Sequence, residues 1–334
     1  MKKLALLLSL LLLVLFTAAC GEDTDQASAT DGETSSENTG EDTTESGADE
    51  EQTEAPTEIE VEHELGKTTV PVNPEKVVVF DYGTLDSLDK LGVEVTAVPQ
   101  DNLPTYLEKY QAESFENAGT LFEPDFEKLA EIDPDLIIIS GRQSEVYEDL
   151  SELAPTIYMG VDTTRYLDSF NENVTLLGEI FGKEAEAEEE LAKITDEIDQ
   201  LKEKATAAEA NGLVILTNDG GISAYGPGSR FGIIHDAFGV TPIDDTIEAS
   251  THGQNVSFEY IAEKNPNYMF VVDRNKIVGG EYSAEKTLNN DLVNKTNAAK
   301  NENIIYLNPE YWYVSGGGLI SVSEMVKEVA AGLE

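Results

Sequence analysis

The sequence holds one cysteine, Cys20, and three histidines, His63, His235 and His252, among 334 residues. That excludes a disulfide framework, a thiolate metal site and a cysteine nucleophile in the body of the chain. No two histidines stand at metal-ligand spacing, which argues against a receptor for bare zinc or manganese. Basic residues are also few, 21 against 66 acidic, for a formal net charge of −45. Phosphate would repel such a chain, so nucleic acid is excluded as a partner. Arginine is scarcest: Arg142, Arg165, Arg230 and Arg274 are the whole set. No Gly-x-Ser-x-Gly elbow is present. The run Gly316-Gly317-Gly318 lacks the Gly-Lys-Ser/Thr ending of a phosphate loop.

The N-terminus reads as a signal peptide over residues 1–19: Lys2-Lys3, an apolar stretch from Leu4 to Phe16, then Thr17-Ala18-Ala19. The apolar run is shorter than the ~20 residues of a membrane span. Cys20 follows directly, before Gly21, and resembles the lipidated cysteine of a bacterial lipobox, with Thr17 where Leu is usual. Residues 20–57 are dominated by Ser, Thr, Glu, Asp and Gly and predict a disordered tether, extended by its own charge.

The body alternates strand-like and helix-like segments, which predicts an α/β fold. Val77–Phe80 and Leu136–Ile139 are short apolar runs of the kind that parallel strands show when both faces are covered. Val93–Val98 predicts a further strand, and a helix is expected from Asp168 or Ser169 to Phe181. A second helix runs on from Glu184, with Leu191, Ile194, Ile198 and Leu201 on one face.

One unit occurs twice. Phe126-Glu127-Lys128-Leu129-Ala130-Glu131-Ile132-Asp133-Pro134-Asp135 leads through an apolar strand to Arg142. Phe258-Glu259-Tyr260-Ile261-Ala262-Glu263-Lys264-Asn265-Pro266-Asn267 leads through another to Arg274. A helix–turn–strand unit repeated at long range predicts two similar lobes with a cleft between them. The expected organisation is an N-terminal α/β lobe over 58–166, connecting helices over 167–210 and a C-terminal α/β lobe over 211–334. The helices between the two copies suit a long interdomain helix joining Rossmann-like lobes, with an ordinary surface helix as the alternative.

Ligands of open α/β sheets bind beyond the carboxyl ends of the strands. Arg142 and Arg274 follow strands there, and Arg230 follows the loop Gly226-Pro227-Gly228. Arginine offers a planar, permanently charged fork of donors, so convergence of the three would make an anion site. The alternative is local pairing, for example of Arg274 with Asp273. Glu127 and Glu259 start equivalent helices; they suit either the helix dipole or, because they are repeated, docking of a partner on both lobes. His252 lies in a polar loop, where solvation is the plain reading. Tyr311-Trp312-Tyr313, beside the glycine run, suits either a flat-ligand pocket or the core.

From about Ile59 to Leu333 the chain resembles the substrate-binding lipoproteins of ABC iron-siderophore importers, the helical-backbone class. It is most similar to petrobactin and other catecholate-siderophore receptors. The resemblance rests on Val77 to Gly83, Asp133 to Ser140, Ser250-Thr251-His252-Gly253-Gln254, Asn265-Pro266, Val272-Asp273-Arg274 and Tyr311-Trp312-Tyr313. It implies no enzymatic activity and no intrinsic cofactor, with Fe(III) carried as a siderophore complex. Arg142, Arg230 and Arg274 would contact catecholate oxygens, with Trp312 and Tyr313 lining the ligand. His252 and Tyr313 would complete the iron shell of siderophores with only four donors. Glu127 and Glu259 would dock an ABC permease with its ATPase, and Cys20 would anchor a monomer outside the cell membrane. The stiff connector implies small lobe closure. Other cargoes to weigh are haem, cobalamin and neutral hydroxamate chelates, the last disfavoured by three arginines. A two-lobed transferase or hydrolase is the remaining alternative, and the missing nucleophile–base pair disfavours it.

Overall fold

A computed structural model describes residues 56–333. The expected signal peptide, Cys20 and nearly all of the tether lie outside the described residues. The body begins with a hairpin that the sequence did not announce, β1 (Glu58–His63) against β2 (Gly66–Pro71). Thr68 ties it to the first lobe by donating to the Thr156 carbonyl at 2.8 Å.

The first lobe comprises β3 (Val77–Val79), α1 (Tyr82–Leu91), β4 (Ala97–Val98), β5 (Glu116–Asn117), α2 (Phe126–Ile132), β6 (Leu136–Ile139), α3 (Tyr147–Ser151) and β7 (Thr156–Tyr158). Its strands form a parallel sheet in the order β5-β4-β3-β6-β7. Asp81 starts α1 by accepting from Thr84 N at 2.8 Å, and Gly92 ends it at φ 71°. The strand expected over 93–98 shrinks to Ala97–Val98. Val93 still belongs to the helix end, its N–H donating to Leu88 O at 2.9 Å.

The connector is α4 (Tyr166–Phe181) followed by α5 (Glu184–Ala207). α4 begins earlier than Asp168 because a 3₁₀ turn, Thr163–Arg165, leads straight into it. Asp162 caps that turn by accepting from Thr164 N at 2.9 Å.

The second lobe comprises β8 (Asn211–Asn218), β9 (Gly221–Tyr225), α6 (Ile233–Asp236), β10 (Thr241–Pro242), β11 (Gln254–Asn255), α7 (Phe258–Lys264), β12 (Tyr268–Asp273), α8 (Asn275–Val278), α9 (Ala284–Leu288), α10 (Asn297–Lys300), β13 (Ile304–Leu307) and α11 (Leu319–Gly332). The sheet order is β11-β9-β8-β12-β13, with β10 beside the start of β8. β8, β12 and β13 are parallel, whereas β9 runs antiparallel between β8 and the edge strand β11, so this sheet is mixed.

The repeat persists at the level of caps. Asp125 accepts from Lys128 N at 3.0 Å, and Ser257 accepts from Tyr260 N at 3.3 Å. Both helices end on a left-handed residue, Asp133 at φ 53° and Asn265 at φ 47°, each followed by proline. Asp and Asn tolerate that conformation, and proline stops the helix.

Period-two alternation divides each sheet between two cores. Leu136 and Ile138 of β6 and Phe270 and Val272 of β12 share one apolar cluster with α1, α4, α5 and α11. Ile137 and Ile139 face a separate cluster in the first lobe, and Met269 and Val271 another in the second. The lobes and connector are thus welded by common packing, and a wide hinge would have to part it.

Candidate functional site

The three arginines meet on one residue, Tyr313. It sits in a π-helical turn, Glu310–Val314, just before α11. Arg142 arrives from the first lobe on the turn after β6. Gln143 pins that turn, donating through Nε2 to Leu121 O at 2.6 Å. Arg142 Nη2 donates to the Tyr313 carbonyl at 3.3 Å. Arg230 arrives from the second lobe and donates through Nη2 to the same carbonyl at 2.6 Å. Its guanidinium also lies 4.3 Å from the Tyr313 ring centroid and 5.6 Å from that of Phe231. Arg274, one residue beyond β12, donates through Nε to the Tyr313 hydroxyl at 2.8 Å and through Nη1 to Asn218 Oδ1 at 3.0 Å.

Charge is the telling property of this cluster. One carbonyl, one hydroxyl and a π face carry only partial negative charge. Among the described residues, no ion pair involves Arg142, Arg230 or Arg274, whereas Arg165 pairs with Glu172. Asp273 does not pair with Arg274; it is buried and accepts from the N–H groups of Asn275 at 3.0 Å and Ala284 at 2.8 Å. Burial, and then the nearby Arg142, push the pKa of Arg230 down. Three cations are therefore held together at a cost, in a protein whose surface is overwhelmingly anionic. Screening over roughly 8 Å keeps that distant surface from neutralising them.

The other expected site residues separate. Trp312 turns away from Tyr313 and is buried, its indole donating to Glu328 Oε2 at 2.8 Å and its ring set edge-on to Phe231 and Phe238. The core, not the cleft, is where it lies. His252 is exposed, on a loop whose Ser250 carbonyl accepts from Arg230 N at 3.5 Å, so the loop borders the arginine cluster. Glu127 and Glu259 are both exposed in the first turns of α2 and α7. Bonds from its own backbone and from Ser257 lower the pKa of Glu259, in keeping with a helix-start charge. The triple glycine is a close crossing instead of an anion loop: a Cβ at Gly318 would strike Asp86 and the Gly83 carbonyl.

Sequence reasoning missed Asn218 and Tyr225. The Tyr225 ring lies 4.6 Å from that of Phe231, tilted by 58°, and burial pushes its pKa up to about 12. Asn218 ends β8 level with the start of Arg274's turn, which was the available signal; Tyr225 lies back along the sheet, opposite Val214, and had none. Among the described residues there is no group of three or more His, Cys, Asp or Glu side chains able to hold a metal ion. Nor is any helix there long and apolar enough to cross a membrane.

Three arginines from two sheets, none paired with a described carboxylate, make a cluster able to take an anion, and the comparisons give the class of protein. The chain belongs to the periplasmic binding protein family, whose pattern matches residues 77–311. It is therefore an extracytoplasmic binding protein of the ABC-transporter kind and not an enzyme. It is 48% identical to the petrobactin-binding protein YclQ of Bacillus subtilis over 100% of both chains. The crystal structure of YclQ superposes with a TM-score of 0.81 at 52% identity, covering 83% of this chain and 99% of that one. The catecholate-siderophore binding protein VctP of Vibrio cholerae superposes at 0.78 with 36% identity, covering 82% and 99%. The ferric-anguibactin-binding protein FatB of Vibrio anguillarum is 31% identical over 83% of this chain and 88% of its own.

Proposed function

We propose that this protein captures a ferric catecholate siderophore of the petrobactin type and delivers it to an ABC permease for iron uptake. The observation that carries the reading is the cluster of Arg142, Arg230 and Arg274, free of carboxylate partners and presented from both lobes. Fe(III) wrapped by three dianionic bidentate groups bears about three negative charges, which three guanidinium forks match by charge-assisted hydrogen bonds. Neutral ferric hydroxamates would leave the arginines uncompensated. With a four-donor siderophore, the Tyr313 phenol oxygen and the His252 imidazole complete the iron shell; both are suitable Fe(III) donors.

Glu127 and Glu259 dock the permease, one from each lobe. Cys20 carries the lipid anchor, and the acidic segment to residue 57 spaces the receptor from the membrane. The lobe over 58–166, the connector over 167–210 and the lobe over 211–334 act as one stiff receptor with small closure, because the shared core opposes a wide hinge.

The test is titration of intrinsic fluorescence across a panel: ferric petrobactin, a ferric tris-catecholate, ferrichrome and cobalamin. Trp312 is the single tryptophan and adjoins Tyr313. Submicromolar quenching by the catecholates with weak effects from ferrichrome and cobalamin is expected. Tighter binding of either neutral ligand rejects the reading.

A further inference from the structure

We propose that Asp86 is a positioning residue for the anion site, capping α11 from the opposite lobe and thereby holding Tyr313 among the three arginines. The proposal rests on the function just argued only in its choice of ligand. Helix N-termini leave N–H groups unsatisfied, normally met by a Ser, Thr, Asp or Asn at the cap. α11 has Gly318 there, with no side chain to offer. α1 supplies the cap instead. Ser87 Oγ accepts from Leu319 N at 3.1 Å, Asp86 Oδ1 from Ile320 N at 2.6 Å and Asp86 Oδ2 from Ser321 N at 2.7 Å. The glycines are what let the two elements come so near: a Cβ on Gly83 would lie 3.0 Å from the Gly316 carbonyl.

The cap reaches Tyr313 through Ser315, two residues beyond it. The Tyr106 hydroxyl lies 2.9 Å from Asp86 Oδ2 and 2.6 Å from Ser315 Oγ, bridging them. Ser321, whose N–H Asp86 holds, donates through Oγ to the Ser315 carbonyl at 2.7 Å. Ser315 in turn closes the π-helical turn, its N–H and hydroxyl meeting the Glu310 carbonyl at 3.0 and 2.8 Å. The other side of the turn is tied to α11 itself, through Trp312 and Asn308 on Glu328. The Tyr313 carbonyl, on which Arg142 and Arg230 converge, is thus aimed by bonds that end on a buried carboxylate in the first lobe.

Asp86→Asn tests this, with Tyr106→Phe as a second, milder cut in the same chain should the first fail to fold. Asn keeps the size but cannot accept through both branches. Two readouts are taken below the melting temperature. In the ligand-free protein, the Nε–H resonance of Arg274, one of only four arginines, should shift and exchange faster as its bond to Tyr313 loosens. Affinity for ferric petrobactin should fall roughly tenfold, and the loss should be less than additive with Arg230→Met, since both act on one carbonyl. A wild type that binds no ferric siderophore, while the Arg274 signal still moves, overturns the function and supports the positioning role. An unmoved Arg274 signal with unchanged affinity in a folded but less stable variant overturns the proposal, leaving Asp86 a structural cap alone.

Discussion

Arg230→Met separates a binding charge from a structural one, because the two make opposite forecasts for the empty and the loaded protein. Arg230 sits between the rings of Phe231 and Tyr313 and donates to the Tyr313 carbonyl at 2.6 Å. In the empty protein its loss removes one hydrogen bond from a charged donor to a neutral carbonyl, worth about 1.5 kcal/mol; the carbonyl keeps Arg142. It also removes the desolvation of a half-buried cation and its repulsion by Arg142, the two causes that push its pKa down. Methionine refills the space against the aromatic rings. The empty variant should therefore be within about 1 kcal/mol of wild type, or more stable. In the loaded protein, a guanidinium bonded to an anion contributes about 1.5–3 kcal/mol, so affinity for a ferric catecholate should fall roughly 10- to 150-fold. The assay is fluorescence titration beside thermal melts with and without ligand. The stabilisation by ligand should shrink while the unliganded transition stays or rises. A variant that binds within about threefold of wild type, under ~0.7 kcal/mol, refutes the anion-site argument. So does an empty variant that is severely destabilised.

Burial pushes the Asp86 carboxyl up to about 7 against the hydrogen bonds that favour its anion. Its unfolded form titrates near the ordinary carboxylate value, so the folded state binds more protons between about pH 4 and 7, and stability should fall as pH rises through that window, by at most about 4 kcal/mol. Glu328, also raised by burial, adds a slope of the same sign, so the Asp86 share is read as the difference between wild type and Asp86→Asn in chemical denaturation across that range. Glu127→Ala with Glu259→Ala should leave ferric-siderophore affinity unchanged and abolish uptake in cells; collapse of affinity would contradict the docking role. Cys20→Ser should move the protein from the membrane fraction to the medium, measured by fractionation. Arg165→Ala removes only an exposed pair with Glu172 and should change stability by under ~1 kcal/mol and affinity not at all.

What was legible in the sequence was local. The repeated helix–turn–strand unit carries its own caps and breakers, Asp125 and Ser257 at the starts, Asp133-Pro134 and Asn265-Pro266 at the ends, so it announced itself without its surroundings. Arg142 and Arg274 were legible because they follow strands and Arg230 because it follows a Gly-Pro-Gly loop, and the chain uses arginine nowhere else but at Arg165. Trp312 and Tyr313 show where that logic stops. Read as a run, Tyr311-Trp312-Tyr313 suited a pocket or the core as one piece, but neighbours on a helical turn point in different directions. Only one of the pair could face the arginines, and the choice depended on Glu328, distant in sequence and without a local mark. Asp86 shows how far the reading could have gone. α1 places Asp86 and Ser87 between the core residues Leu85 and Leu88, and a buried carboxylate needs donors. α11 opens on glycine, and a helix start needs acceptors. Each helix read alone shows a deficit, and the two deficits answer one another. Matching unsatisfied helix starts to carboxylates on otherwise apolar faces joins these segments from sequence alone, and with them the first lobe to Tyr313.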